Sequence, residues 1–233
     1  MNYCIIQARL NSRRLPGKVL LPICGKPVLQ HIIERVRYSK IDKIIVATST
    51  NPENDAIENL CNQLDVPCFR GSEDDVLERF KGTIKAFGIK PDDNIVRITG
   101  DCPFIDPCLL DSMLSLDDTP DLITNCIGRT YPDGLDIEIF KVKLLYHPNF
   151  SEINFFEIDY SLDFLFNKNF IVHAVINPSH LRWTLDTAED FEFIKGVYER
   201  LYKPGKIFYM EDILNETMSR DGKLGTKIRI EKL

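Results

Sequence analysis

Residues Tyr3 to Leu21 read YCIIQARLNSRRLPGKVLL. Tyr3–Ala8 is a short, mainly apolar run of strand length, as expected for a strand covered on both faces. The character then changes abruptly. Arg9, Arg13, Arg14 and Lys18 fall within ten residues, interleaved with Asn11, Ser12, Pro16 and Gly17, and apolar residues resume at Val19. A strand that runs into a small-residue, cation-rich loop suits phosphate: backbone N–H groups can approach the anion, and fixed cations neutralise it. Arginine matches phosphate oxygens two at a time, and lysine acts as a point charge. The plainer alternative is a solvated basic loop. Two features favour phosphate. The cations follow the carboxyl end of the first strand, where open α/β sheets bind ligands, and they are concentrated in a chain of net charge −6.

Outward from this stretch the chain alternates. Pro27–Tyr38 is an amphipathic helix, with Val28, Leu29, Ile32, Ile33 and Val36 inward and Gln30, Glu34, Arg35 and Arg37 outward. Lys43–Ala47 is a second apolar strand, and strand–helix–strand implies a parallel sheet with a right-handed crossover. The scheme repeats: a helix over Asn54–Leu64, a strand over Val66–Phe69, and a helix from about Asp74 with Val76, Leu77, Phe80, Ile84 and Phe87 inward and Ser72 with Asp75 as its N-cap pattern. Asn94–Thr99 is the next strand and runs into Gly100-Asp101-Cys102-Pro103. A helix follows Pro107 to Leu116, and Asp121–Cys126 is a strand. Beyond it the alternation weakens. Leu135–Phe140 alternates apolar and acidic residues, the pattern of a half-exposed strand. Helices are expected over Glu152–Phe166, Thr187–Tyr202 and Met210–Met218, and strands over Phe170–Ile176 and Leu181–Leu185. The tail Lys223–Leu233 is a weak strand pattern. The expectation is a single domain, 1–233, with 125–177 as an inserted mixed region.

Bulk properties narrow the function. Hydrophobic content of 44% and charged content of 27% are ordinary for a globular chain. The acidic balance argues against nucleic acid as a partner. No apolar run approaches the ~20 residues of a membrane span, and MNYCIIQARL lacks the layout of a secretory leader. The expected location is the cytoplasm. The seven cysteines are odd in number and show no CxxC spacing, so they read as small buried hydrophobes and not as a zinc site. The four histidines show no metal-ligand spacing, and His31 reads as structural.

Two carboxylates draw attention. Asp101 and Asp186 each end an expected strand, and on central strands they converge near the Arg9–Lys18 loop. Such a pair beside a phosphate is the usual way to hold Mg²⁺, which binds few protein groups and keeps substrate phosphates as ligands. Each also has an ordinary reading, Asp101 as a turn residue and Asp186 as part of a helix cap, since Thr187 and Asp190 form a capping-box pair. Ser12, Thr48, Ser49 and Ser72 offer hydroxyls, and Arg70 a guanidinium, to a base or ribose; short hydroxyl residues are also common turn formers. Asp136 and Glu138 share one strand face. They suit sugar hydroxyls or an amino group, or else a solvated strand edge.

These residues resemble a family. IIQARLNSRRLPGKVLLPICGKPVLQHIIERV is similar to the opening of the cytidylyltransferases that make CMP-activated sugars, nearest the SpsF-like spore-coat-polysaccharide branch. VATSTNPEND, FRGSEDDVLERF, RITGDCPFIDP, YPDGLDIEIF and LRWTLDTAEDF follow in the family's order, so the resemblance runs from Tyr3 to Tyr202. It implies a three-layer α/β/α Rossmann-like nucleotidyltransferase fold (GT-A-like) with a mostly parallel sheet, often a homodimer. It further implies that Arg9, Ser12, Arg14 and Lys18 hold a triphosphate and that Thr48, Ser49, Arg70 and Ser72 lie near cytosine and ribose. Asp101 and Asp186 would hold Mg²⁺, and Asp136 and Glu138 would face the acceptor. One segment departs: residues 154–167, NFFEIDYSLDFLFN, are acidic where the branch carries a basic, His-containing stretch.

The expected reaction transfers CMP from CTP to a small-molecule acceptor, a sugar or sugar acid, with release of pyrophosphate. Arg14, Lys18 and Asp101 are the expected catalytic residues. Two other readings stay open: a glycosyltransferase with a metal near Asp136 and Glu138, and a non-catalytic nucleotide-binding relative.

Overall fold

The structure is a computed structural model and describes residues 1–116, 121–147, 169–217 and 228–232. The first strand, β1 (Asn2–Gln7), is followed by the cationic loop, a single 3₁₀ turn at Lys18–Leu20, and a small ribbon of β2 (Pro22–Ile23) with β3 (Lys26–Pro27). Then come α1 (Val28–Val36), β4 (Lys43–Ser49), α2 (Asp55–Gln63), β5 (Cys68–Gly71), α3 (Val76–Phe87), β6 (Asn94–Thr99) and α4 (Pro107–Leu114). The second half contributes β7 (Leu122–Thr124), β8 (Glu138–Lys141), a 3₁₀ segment at Val142–Tyr146, β9 (Asn169–Ala174), α5 (Ala188–Leu201), α6 (Met210–Thr217) and β10 (Ile228–Lys232).

Eight strands form one sheet in the order β5-β4-β1-β6-β8-β7-β9-β10. β5, β4, β1 and β6 are parallel, as are β7 and β9, while β8 and β10 run antiparallel to their neighbours. The mostly parallel three-layer α/β expectation is therefore met. Cys4, Ile5 and Ile6 are fully buried because helices cover both faces of the sheet. On one side Cys4, Ile6, Val46 and Val96 pack with Ile32 of α1, Ile57 of α2, Leu110 of α4, Ile194 of α5 and Ile213 of α6. On the other, Tyr3, Ile5 and Ile45 meet Phe80 and Ile84 of α3 and Leu145 of the 3₁₀ segment. Among the described residues no helix is long and apolar enough to cross a membrane.

Several expectations are corrected. Arg35 does not face outward: it is buried, donating from Nε to the Ile105 carbonyl at 2.7 Å and from Nη2 to that of Phe208 at 2.7 Å, with its guanidinium on the Phe208 ring. It thereby satisfies loop carbonyls that would otherwise be buried without donors. Phe87 is exposed, as the last residue of α3 before a left-handed Gly88 cap. The N-cap of α3 is Asp75, which accepts from the Glu78 N–H; Ser72 caps the preceding turn by accepting from the Asp75 N–H at 3.0 Å. Leu135–Phe140 is not a half-exposed strand. Only Glu138–Lys141 is strand, and it lies between β6 and β7 with Ile137, Ile139 and Phe140 buried. Cys24 and Cys108 are exposed, and all seven thiols are free. The expected helix over 152–166 lies outside the described residues.

Leu181–Leu185 forms no ladder. It is an extended strap with one bridge, Asp133 to Arg182, and it hydrogen-bonds two turns in succession: Trp183 N–H to the Asp133 carbonyl at 2.6 Å, then Leu185 N–H to the Asp101 carbonyl at 2.8 Å. Gly134 (φ +109°) permits this, since an added Cβ would lie 2.5 Å from both Thr184 N and Trp183 C. Gly134→Ala is expected to lower the unfolding free energy by about 2 kcal/mol or more, read as a shift in urea midpoint.

His31 is structural, as expected. It is buried, its Nε2 lies 2.8 Å from the Ile23 carbonyl, and its ring packs on Tyr198. Burial lowers its pKa below 6.5, and the Ile23 contact only partly offsets this. A depressed folded pKa means stability present above 6.5 is lost as pH falls through the folded value. Unfolding free energies measured between pH 6.5 and about pH 5 should therefore slope less in His31→Gln than in the wild type.

Candidate active site

The site begins where β1 ends. Gly100, just past β6, donates its N–H to the Gln7 carbonyl at 2.8 Å, and a Cβ there would lie 3.0 Å from Ala8 Cβ and 3.1 Å from Gln7 O. Glycine lets the turn after β6 seat directly on the start of the cationic loop. The loop is pinned at two points. Leu10 N–H donates to Oδ1 of the fully buried Asn54 at 2.9 Å, and Gly17 N–H closes back on the Leu10 carbonyl at 2.9 Å. Gly17 has φ +73°, which aims the following Lys18 inward.

A cavity of about 490 Å³ opens beyond the ends of β1 and β6. Arg9, Ser12, Arg13, Arg14 and Lys18 line it from the loop, Asp101 and Asp186 from the opposite side, Glu73 from the β5–α3 connection and Arg79 from α3. Lys18 Nζ lies 2.8 Å from Asp101 Oδ2 and 2.9 Å from Asp186 Oδ1. Burial opposes its charged form, but the two carboxylates outweigh this and raise its pKa above the ordinary lysine value. Burial likewise opposes the ionised form of Asp186. Hydrogen bonds from Lys18 and Arg182, with Arg14 close by, reverse this and hold its carboxyl below the usual range.

Asp186 is delivered by the strap and fixed by its surroundings. Arg182 spans three carboxylates: Nη2 to Asp186 Oδ2 at 2.6 Å, Nη1 to Asp133 Oδ2 at 2.8 Å and Nε to Asp190 Oδ1 at 3.2 Å. Arg14 reaches the same Asp186 Oδ2 at 2.9 Å. The Thr187–Asp190 capping box is also formed, and the Asp190 carboxylate accepts the Asp186 N–H. Capping and cavity roles are thus shared between neighbours: Asp190 caps, and Asp186 points into the site.

The remaining expected residues lie elsewhere. Thr48 and Ser49 are fully buried; Ser49 Oγ accepts from Asn54 Nδ2 at 2.8 Å, so it supports the residue that pins the loop. Arg70 binds Asp55, Glu58 and the carbonyls of Ser49 and Asn51, clamping the β4–α2 connection. Ser72 is spent on its turn. None of these four lines the cavity. Asp136 is paired with Arg129, and Glu138 is buried in an ion pair with Arg97, its direct partner across β6 and β8. Burial raises the Glu138 pKa, and Arg97 pulls it back. A metal between Asp136 and Glu138, as a glycosyltransferase would need, does not fit an arrangement in which arginines already hold both carboxylates.

Arg79 was missed. It is buried, lines the cavity and donates through Nη1 to the carbonyls of Ser72 and Glu73, while Arg9 Nη1 reaches the same Glu73 carbonyl at 3.1 Å. Burial, then the neighbouring Arg9, lowers its pKa. The signal was its spacing: it stands three residues after Val76 and next to Phe80, on the inward side of an amphipathic helix.

The Asp101–Asp186 pair suits one compact cation, since an oxygen of each lies within hydrogen-bond reach of the same ammonium. Among the described residues no group of three or more His, Cys, Asp or Glu side chains could hold a metal ion by itself. A divalent ion here would take its other ligands from substrate and water, which suits Mg²⁺.

Known proteins agree with this architecture. The sequence matches the Cytidylyltransferase family over residues 3–225. It is 37% identical over 210 residues to the spore coat polysaccharide biosynthesis protein SpsF of Bacillus subtilis, covering 84% of this chain and 85% of that one. A shorter match, 35% over 113 residues, covers 48% of this chain and 45% of an 8-amino-3,8-dideoxy-manno-octulosonate cytidylyltransferase of Shewanella frigidimarina. The solved structure of a cytidylyltransferase from Leptospira borgpetersenii superposes with a TM-score of 0.81 at 32% identity, over 91% of this chain and 92% of that one. The family model, the SpsF relative and the solved structure agree, and the chain belongs to the cytidylyltransferase family.

Proposed function

We propose that the enzyme transfers CMP from CTP to a sugar-acid acceptor and releases pyrophosphate. The observation that carries this reading is the convergence of Lys18, Asp101 and Asp186 in a cavity lined by Arg9, Arg13 and Arg14. An acceptor oxygen attacks the α-phosphorus in line, the α–β bridging bond breaks, and its electrons leave on pyrophosphate. Such a reaction depends on positioning and on charge at the phosphates and needs no covalent enzyme intermediate. Arg9, Ser12, Arg14 and Lys18 hold the triphosphate, and Arg14 and Lys18 take up charge on the leaving pyrophosphate. Asp101 and Asp186 would hold Mg²⁺, which when bound supplies positive charge at the α-phosphate. Asn54, Ser49 and Arg70 act behind the loop, keeping its N–H groups and cations in place. The acceptor enters beside Asp133, Asp136, Arg129 and Arg182. A sugar acid is supported by the octulosonate named for the Shewanella relative.

Pyrophosphate release measured with Mg²⁺, each of the four common nucleoside triphosphates and a panel of sugar acids and amino sugars tests the reading. CTP with one acceptor should give release. Equal release from UTP, or release that ignores the acceptor, would overturn it. Asp101→Ala should lower turnover about 10²-fold or more with an unchanged melting curve; a wild-type rate at saturating Mg²⁺ would remove Asp101 from the reaction. Arg14 is 62% exposed in its ion pair with Asp186, and such pairs add at most about 1 kcal/mol to stability. Arg14→Ala should therefore leave the urea midpoint nearly unchanged while raising the KM for CTP.

A further inference from the structure

The ammonium of Lys18 sits where the two carboxylates converge, within 2.9 Å of both. Asp186 divides its oxygens: Oδ2 carries Arg14 and Arg182, and Oδ1 carries Lys18. Asp101 Oδ2 and Asp186 Oδ1 are thus neutralised by one ammonium. Lys18 has a flexible stem and a single charge. It follows Gly17 at the end of the cationic loop, so the same ammonium can swing from the carboxylates towards phosphate in the cavity. Arg182 cannot make this exchange, being held by three carboxylates at once.

We propose that Lys18 is the resident counter-ion of the Asp101–Asp186 pair in the nucleotide-free enzyme, and that the triphosphate draws it away and so opens the pair to a divalent cation. The proposal rests on the reading of this cavity as a nucleotide site and adds an order to it. A divalent ion arriving alone must displace an ammonium already paired with both carboxylates, so its apparent affinity is reduced by the fraction of molecules in which Lys18 has left. Triphosphate supplies Lys18 with other anionic partners and raises that fraction. Coupling of this kind is reciprocal, so metal must strengthen nucleotide binding by the same factor. Lys18 then serves twice, as guard of the carboxylates when the site is empty and as a phosphate ligand when it is filled.

The test is a Mn²⁺ titration followed by electron paramagnetic resonance, without and with CTP, on wild type, Lys18→Met and Asp101→Asn, with the Mn²⁺ held by CTP alone measured without enzyme and subtracted. Wild type should bind Mn²⁺ weakly alone and about tenfold or more tightly with CTP. Lys18→Met should bind Mn²⁺ alone about tenfold or more tightly than wild type does, and Asp101→Asn should lose binding in both states. Wild-type binding that is as tight without CTP as with it overturns the proposal. So does a Lys18→Met enzyme no better than wild type without nucleotide, or an absence of binding throughout. If Lys18→Met does not fold, Lys18→Gln carries the same comparison: Mn²⁺ should raise its melting temperature and leave that of wild type unchanged, and equal shifts overturn the idea. The comparison without nucleotide is independent of which triphosphate the enzyme uses. Failure of CTP to bind even with Mn²⁺ present would count against the proposed function, while the comparison of Lys18→Met with wild type without nucleotide still decides the counter-ion role.

Discussion

Lys18 between Asp101 and Asp186 requires three distant pieces of chain to be in register: the turn closing the cationic loop, the turn after β6, and the strap before α5. The three side chains line the cavity and are only partly shielded from water, and the cost of that desolvation is recovered when the geometry is good and the remaining lone pairs are bonded. The structure meets that condition with backbone. Gly100 lets the β6 turn touch Ala8, the Asp101 carbonyl receives the Leu185 N–H, and Gly134 lets the 131–134 turn lie against Trp183. Arg182 and Arg14 complete the shell around Asp186. Each contact is ordinary. Together they leave the two carboxylates one mutual orientation, which is the preorganisation a charge-stabilising site needs.

The supporting layer shows the same logic one step back from the cavity. Arg70 fastens the Ser49 and Asn51 carbonyls, Ser49 receives the Asn54 amide, and Asn54 receives the Leu10 N–H of the loop. A chain of hydrogen bonds thus runs from an exposed-side arginine to the backbone of the cationic loop. On the other flank Arg79 and Arg9 share the Glu73 carbonyl. Two guanidiniums brought together in partial burial repel, and the Glu73 carboxylate, 3.1 Å from Arg9, offsets part of this.

Much of the scaffold could be read without coordinates. β1, β4 and β6 are apolar runs of strand length, α1 and α3 are amphipathic, and the cations at the end of β1 together with Asp101 and Asp186 do meet in one cavity. The misreadings have a common cause: a charged or hydroxyl side chain does not announce its tertiary partner. Glu138 looks like half of an exposed acidic pair until Arg97 is found opposite it on β6. Arg35 looks solvated until the 104–105 and 208 carbonyls fold over it. Thr48, Ser49, Arg70 and Ser72 have the right chemistry for a nucleotide, but Thr48 is buried in β4, Ser49 and Arg70 hold the β4–α2 connection, and Ser72 is spent on its turn. Arg79 escaped because its neighbours Val76, Leu77 and Phe80 already accounted for the helix as core packing. The strap at 181–185 has strand composition but only turns to bond to, and no local pattern distinguishes the two.

The position of β8 has a consequence for synthesis of the chain. β6 is flanked by β1 on one side and by β8, residues 138–141, on the other. Before residue 141 leaves the ribosome, the β5-β4-β1-β6 half can pair and cover itself with α1 to α3, yet β6 ends it as an open border. The peptide groups along Ile95 and Val96 pair with Phe140 and Ile139 only once β8 is in place, and those side chains are buried in the finished fold. Unguarded borders of this kind recruit other chains. Here the closing strand comes some forty residues later and runs the opposite way, so the border stays open for that length of synthesis.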